Sequence, residues 1–179
     1  MIMNQKLLIL DLDETLVHAT ELPLFRTADF RVASYYVYRR PNLTNFLAFV
    51  RHRFHVAVWS SSTSLYLKQV LHHILPPDYP LVFAWSRDRC TRFFDHERQE
   101  VYWIKNLKKV KGKGYSLKSI LMVDDTPQKL SKNYGNLVRI APFEGDEADD
   151  ELLMLMAYLE KLATVENVRV NEKRAWRHF

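Results

Sequence analysis

Apolar residues along this chain fall into short unbroken runs that end abruptly in polar ones. The segment Lys6-Leu7-Leu8-Ile9-Leu10 runs into Asp11 and Asp13, as a strand buried on both faces of a parallel sheet would. His55-Val56-Ala57-Val58-Trp59 runs into Ser60-Ser61-Ser62, and Ser119-Ile120-Leu121-Met122-Val123 runs into Asp124-Asp125. Three predicted strands thus each deliver polar residues at their carboxyl end.

Between them the period changes to that of helices. Pro41, suited to a first helical position, precedes Leu43, Phe46, Leu47 and Val50, which share one face. A second helix is predicted after Ser62, with Leu67, Val70, Leu71, Ile74 and Leu75 as its stripe and Pro76-Pro77 as its stop. Val101, Ile104 and Lys108 suggest a third. Asp149 or Asp150 can cap a last helix whose Leu152, Leu155, Met156, Leu159 and Leu162 stay on one side. Strands alternating with helices predict an open α/β sheet with ligands bound at the strand carboxyl ends, at a topological switch point. Two stretches depart from simple alternation. Residues 17 to 39, with Tyr35-Tyr36-Val37-Tyr38, read as a β-rich flap, and residues 80 to 98 as a further strand and an aromatic, arginine-rich loop. No repeat, low-complexity segment or long linker interrupts residues 1 to 179, so one domain is expected.

Composition agrees with this picture. With 179 residues, 47% of them hydrophobic, the chain can bury roughly 70% of its unfolded surface without disulfide or metal staples. The one cysteine, Cys90, has no partner for an internal disulfide, which fits a reducing compartment. The N-terminus, Met1 to Lys6, leads into an apolar run too short for a signal peptide or a membrane span, so a cytoplasmic location is expected, or a nuclear one in a eukaryote. The net charge of +5, concentrated in Lys105 to Lys113 and Lys173 to Arg177, favours acidic partners. No nucleic-acid-binding module accompanies it, and nucleic acid is not the expected ligand.

The polar strand ends carry the chemistry. Two carboxylates at i and i+2, Asp11 and Asp13, can converge on one side of a strand end with Leu12 turned away. One can attack phosphorus to give an aspartyl-phosphate while the other protonates the leaving alkoxide and later activates water. Like charges about 4 Å apart repel by about 4 kcal/mol at an effective dielectric of 20, so attack on a phosphate dianion requires a cation. Asp11, Asp124 and Asp125 suit hard, oxygen-preferring Mg²⁺, with no histidine or thiolate nearby to favour a softer metal. Ser60 and Lys105 can stabilise equatorial phosphoryl oxygens.

These residues resemble a known pattern. Asp11-Leu12-Asp13-Glu14-Thr15-Leu16-Val17-His18 is similar to the first motif of haloacid dehalogenase superfamily phosphatases, in the branch of the small phosphatases of the RNA polymerase II carboxy-terminal domain. Arg40-Pro41, Trp59-Ser60-Ser61-Ser62, Lys105-Asn106-Leu107, Val123-Asp124-Asp125-Thr126-Pro127 and the acidic stretch from Gly145 to Leu153 extend the resemblance over nearly the whole chain. It implies a Rossmann-like fold with a small flap and no large cap domain, and a Mg²⁺-dependent phosphomonoesterase acting on phosphoserine or phosphothreonine protein. It further implies Asp11 as nucleophile, Asp13 as general acid and base, and Ser60 and Lys105 as phosphoryl ligands. Mg²⁺ would be held by the Asp11 carboxylate, the Asp13 carbonyl and Asp124 or Asp125. Thr15 would hold the motif and orient Asp13, and Arg87 would face the substrate. Ser60 stands where many members have threonine, and Asp125 where several have asparagine, which leaves open which carboxylate meets the metal. No appended phosphopeptide-binding or transmembrane segment is apparent, so the chain resembles a bare catalytic domain.

Other features carry less. Lys111-Gly112-Lys113-Gly114 precedes a strand rather than following one and reads as a turn, and adjacent His72 and His73 give no zinc spacing. Phe25, Tyr36, Tyr38, Phe93 and Phe94 are candidates for a substrate groove beneath the flap. Two other readings compete: a phosphatase for small metabolites or nucleic-acid ends with the same chemistry, and a catalytically silent polypeptide-binding module, which an intact Asp11-Asp13-Thr15 motif disfavours.

Overall fold

The computed structural model describes residues 5–97 and 99–178; Met1 to Asn4 of the predicted N-terminal lead-in, and Arg98 of the arginine-rich stretch, lie outside it. At its centre is a parallel five-stranded sheet. The predicted apolar runs become β1 (Leu7–Leu10), β5 (His55–Trp59) and β9 (Ile120–Asp124), joined by β6 (Leu81–Trp85) and β10 (Leu137–Arg139) in the order β10-β9-β1-β5-β6. All four residues of β1 are buried, because the strand sits between two neighbours and is covered on both faces. Leu8, Leu10, Val56, Val58, Leu121 and Val123 face one core, which α1 (Leu43–Arg53), α2 (Ser64–Ile74) and α3 (Glu151–Thr164) cover. Leu7, Ile9, Ala57, Trp59, Ile120 and Met122 face a second core, closed by Leu107, Val110 and Leu130 from short 3₁₀ segments.

The chain leaves β1 for β5 and β6 on one side, then returns to β9 and β10 on the other. The crevice at the carboxyl ends of β1 and β9 is therefore the switch point at which such sheets bind ligands. The predicted flap is a three-stranded antiparallel sheet of β2 (Val17–Thr20), β3 (Phe30–Val32) and β4 (Tyr35–Arg39), in the order β2-β4-β3. No large cap covers the sheet ends among the described residues.

Two local expectations are corrected, and a third is made specific. The third helix is instead β8 (Glu100–Ile104), paired antiparallel with β7 (Thr91–Asp95), followed by 3₁₀ turns from Leu107 to Lys113. Val101 and Ile104 would share a helical face, but here Val101 is exposed and Ile104 buried, as positions three apart in a strand must be. The β-branched and aromatic run Val-Tyr-Trp-Ile favours the strand. Pro41 does not open α1: Asn42 intervenes as N-cap in the left-handed region, at φ 63°, which asparagine tolerates well. At α3, Asp150 occupies the N-cap position without a side-chain cap bond, while the Asp149 carboxylate accepts from Glu151 N at 3.2 Å.

The aromatic candidates separate. Tyr38 is fully buried in the flap, its hydroxyl accepting from Leu24 N at 2.8 Å, so it does not line a groove. Phe25, Phe93 and Phe94 are exposed, and Tyr36 is half-buried beneath the Arg31 guanidinium.

Candidate active site

The site is built on the end of β1. Asp11 N donates to Val123 O at 2.9 Å, which extends the β1–β9 ladder and fixes the Asp11 backbone between the two strand ends. The next residue, Leu12, is buried, and its carbonyl accepts from the amides of Thr15, Leu16 and Val17. This tight turn, with Glu14 in the left-handed region at φ 57°, carries Asp13 back over the sheet end. The Asp13 carboxylate is held there by Tyr66, whose hydroxyl donates to Oδ1 at 2.7 Å, and by Ser60, whose hydroxyl donates to Oδ2 at 3.4 Å. Ser60 follows β5 directly, and its hydroxyl also accepts from Ser62 N at 2.9 Å.

Lys105, immediately after β8, is wholly buried, with Nζ 2.7 Å from Asp11 Oδ1 and 2.7 Å from Asp124 Oδ2. A second lysine, Lys129, lies in the 3₁₀ turn Pro127–Leu130. Its Nζ is 2.7 Å from Asp11 Oδ2, 3.6 Å from Asp124 Oδ1 and 3.9 Å from Asp125 Oδ1. The two lysine segments are tied together, because Lys105 N donates to Lys129 O at 2.7 Å.

Charge in this cluster follows from burial and proximity. Burial alone raises the Asp11 carboxyl, but Lys105 and then Lys129 outweigh it and hold Asp11 below the usual carboxylate range. Asp124 moves the other way, pushed up by burial and by the Asp11 charge. Asp13 is raised mainly by burial; the Tyr66 hydrogen bond opposes this and the Asp11 charge adds to it. Glu14 is pushed up to about 7 by burial and then by Asp13 and Asp125. Burial disfavours charge on Lys129, yet Asp11, Asp124 and Asp125 outweigh it and raise its pKa. Asp11 thus stays an anion, while its neighbour Asp13 holds a proton more readily than an ordinary aspartate.

Asp11, Asp13, Ser60, Lys105, Asp124 and Asp125 therefore meet in one cleft. Ligand oxygens of Asp11, Asp124 and Asp125 lie within 4.8 Å of one another, an all-oxygen set that fits a hard divalent ion. Asp124 is heavily engaged, with Lys105 on Oδ2 and Thr126 N donating to Oδ1 at 2.9 Å. Asp125 Oδ1 accepts no hydrogen bond among the described residues.

Thr15 does not play the part expected of it toward Asp13. Its hydroxyl is buried and makes no hydrogen bond among the described residues; its carbonyl instead accepts from Arg40 at 3.1 Å. Tyr66 and Ser60 orient Asp13 in its place. Arg87 is exposed, and its Nε donates to Ser61 O at 2.6 Å, which ties it to the loop after β5. Tyr66 and Lys129 were not singled out by sequence reasoning. Tyr66 lies in the first turn of α2, just beyond a polar strand end, and that placement was its available signal. Lys129 follows Asp125 by four residues in a segment with no periodic pattern, so nothing local marked it.

Comparison with known proteins places this arrangement. The chain is 32% identical over 177 residues to the phosphatase PSR1 of Saccharomyces cerevisiae, covering 94% of this chain and 39% of the relative. It is 32% identical over 173 residues to CTD small phosphatase-like protein 2 of Dictyostelium discoideum, covering 90% of this chain and 28% of that one. A probable C-terminal domain small phosphatase of the same organism is also 32% identical, with coverage of 92% and 53%. The chain thus spans from about a quarter to about half the length of these relatives. In fold it is similar to the solved structure of Fcp1, an essential RNA polymerase II CTD phosphatase, with a TM-score of 0.60 at 17% identity, covering 89% of this chain and 51% of that one. The architecture is accordingly the haloacid dehalogenase-like α/β fold. Residues 6–169 match the model of the NLI interacting factor-like phosphatases, and the chain belongs to that family.

Proposed function

We propose that the protein hydrolyses phosphate monoesters on phosphoserine or phosphothreonine polypeptides through an aspartyl-phosphate on Asp11. The observation that carries this reading is the pairing at one strand end of an Asp11 held anionic by two lysines with an Asp13 whose carboxyl is raised. An Asp11 oxygen attacks phosphorus as the ester oxygen departs with the Asp13 proton; Asp13 then takes a proton from water as it attacks the acyl phosphate, releasing phosphate and restoring Asp11. Lys105 and the Ser60 hydroxyl border the position of the phosphoryl oxygens and stabilise their charge. Asp11, the Asp13 carbonyl and Asp125, whose Oδ1 accepts no hydrogen bond among the described residues, would hold Mg²⁺, while Lys105 engages Asp124 Oδ2. The ion, when bound, neutralises charge on the transferring phosphoryl group.

The small flap favours a polypeptide over a small metabolite, since no large cap encloses the cleft among the described residues. Arg87, fixed to the Ser61 carbonyl at the rim, is placed to meet an acidic substrate. None of the described helices is long and apolar enough to cross a membrane.

The test is turnover of phosphoserine, phosphothreonine and phosphotyrosine peptides beside a panel of metabolite phosphates. Hydrolysis of the first two is expected in Mg²⁺, with loss in chelator and recovery when Mg²⁺ is restored. A strong preference for phosphotyrosine or for metabolites would overturn the substrate assignment. A finer prediction concerns Tyr66→Phe, which removes the 2.7 Å hydrogen bond to Asp13 but keeps the ring against Tyr35. The expected result is a fall in kcat of about tenfold, equivalent to about 1.4 kcal/mol, with the melting temperature displaced by only a few degrees. An unchanged kcat would remove Tyr66 from the positioning of Asp13.

A further inference from the structure

Among the described residues, Asp11, Asp124 and Asp125 form the one acidic group whose oxygens are close enough together to hold a metal ion. A cation already faces all three. The Lys129 ammonium is 2.7 Å from Asp11 Oδ2, 3.6 Å from Asp124 Oδ1 and 3.9 Å from Asp125 Oδ1. Lys105 does not account for this placement, because it takes the opposite oxygens, Asp11 Oδ1 and Asp124 Oδ2. Each oxygen of Asp11 therefore meets an ammonium.

This geometry conflicts with simultaneous metal binding. A divalent ion such as Mg²⁺ needs its oxygen ligands at about 2.0–2.1 Å in a near-octahedral shell. Lys129, 2.7 Å from Asp11 Oδ2 and facing Asp124 and Asp125 as well, takes up a lone-pair direction of Asp11 and space beside the carboxylates that the ion would use, and two cations so close in a buried cleft repel. The main chain of Lys129 is fixed, with N donating to Thr126 O at 3.1 Å and O accepting from Lys105 N at 2.7 Å. The side chain has four methylenes and is 17% exposed, so the ammonium can leave Asp11 without moving the turn that carries it. A phosphoryl dianion arriving at Asp11 offers that ammonium a new acceptor within reach.

We propose that Lys129 is a tethered cation that occupies the Asp11–Asp124–Asp125 carboxylates in competition with the divalent ion and yields them when a phosphoryl group draws it away, so that metal and phosphate bind cooperatively. The inference rests on the reading that these carboxylates take a divalent ion. Cooperativity is reciprocal: whatever phosphate does for Mg²⁺ affinity, Mg²⁺ does for phosphate affinity. It makes Lys129 a positioning residue that links substrate arrival to metal loading.

The experiment is calorimetric titration of Mg²⁺ into the wild-type protein, Lys129→Met and Lys129→Arg, each with and without saturating inorganic phosphate. For wild type, phosphate is expected to tighten Mg²⁺ binding by about tenfold, which corresponds to about 1.4 kcal/mol. Lys129→Met is expected to bind Mg²⁺ about tenfold more tightly than phosphate-free wild type and to respond little to phosphate, while Lys129→Arg keeps the coupling. The wild-type measurement stands even if the methionine variant folds poorly. Equal Mg²⁺ affinity in wild type and Lys129→Met, or no effect of phosphate on wild type, would overturn the role of Lys129 while leaving the metal site intact. No Mg²⁺ binding to any of the three proteins, with or without phosphate, would overturn the metal site itself.

Discussion

Asp11→Asn is expected to lower kcat by at least about 10⁴-fold, the scale seen when a residue that forms the covalent intermediate is removed. Asparagine has the same shape but is a poor nucleophile, so the loss reports chemistry rather than a changed cleft. The fold is expected to survive. Removing one member of a buried ion pair costs about 3–5 kcal/mol when the partner is left uncompensated. Here Lys105 keeps Asp124 Oδ2 at 2.7 Å, and Lys129 keeps Asp124 Oδ1 at 3.6 Å and Asp125 Oδ1 at 3.9 Å. Asp124, whose carboxyl is raised by burial and by the Asp11 charge, also becomes a better anion once that charge is gone. The cost in stability is therefore nearer to that of a weakened hydrogen bond, about 1–2 kcal/mol. Steady-state assay on an aryl phosphate and urea unfolding by circular dichroism check the two halves. Residual activity within about a hundredfold of wild type would show that Asp11 is not the nucleophile.

How much of this could be read from residues alone depended on whether a feature was local. β1, β5 and β9 were legible because each is a continuous apolar run buried on both faces, and the acids and serines that end them mark the cleft. α2 was legible from its stripe and from Pro76-Pro77. β8 was misread because the spacing of Val101, Ile104 and Lys108 suits a helix, whereas pairing with Thr91–Asp95, a nonlocal contact, makes it a strand. The part assigned to Thr15 fell instead to Tyr66, 53 residues from Asp13 along the chain. Lys129 shows the same limit more strongly. Its 118-residue separation from Asp11 is closed by a 3₁₀ turn with no periodic signature, so its position follows from the packing of Leu130 under the sheet and not from a pattern. Asp11, Ser60, Asp124 and Asp125 could be found because each ends or directly follows a strand legible as an apolar run. The groups that position them could not, because they arrive from elsewhere in the fold.

Arg40 is where that distinction has its largest consequence for stability. Its pairing with Pro41 marked the segment by resemblance, but its partners become visible only in three dimensions. The side chain is fully buried, and all five of its N–H donors are used. Nε donates to Asp149 Oδ1 and Nη2 to Asp149 Oδ2, both at 2.8 Å, a two-pronged pair with the residue that caps α3. Nη1 donates to Thr15 O at 3.1 Å and Glu14 O at 3.4 Å, and Nη2 also donates to Ala141 O at 2.9 Å. One guanidinium thus joins the turn after Asp11, the exit from β10 and the start of α3. Arg40→Met keeps much of the apolar stem but takes the paired cation from the Asp149 carboxylate, which retains only Glu151 N among the described residues, and the guanidinium donors from the Thr15, Ala141 and Glu14 carbonyls, of which Glu14 O retains Phe143 N; it is expected to cost about 3–5 kcal/mol. Arg40→Lys is expected to recover little of that, since a lysine ammonium offers three donors from one point and cannot reproduce the planar fork. Urea unfolding measures both variants. Where enough folded protein remains, kcat should fall as well, because the Glu14 and Thr15 carbonyls are part of the turn that aims Asp13. A loss of less than about 1 kcal/mol in Arg40→Met would mean that water takes over these partners and that the turn holds its shape without the guanidinium.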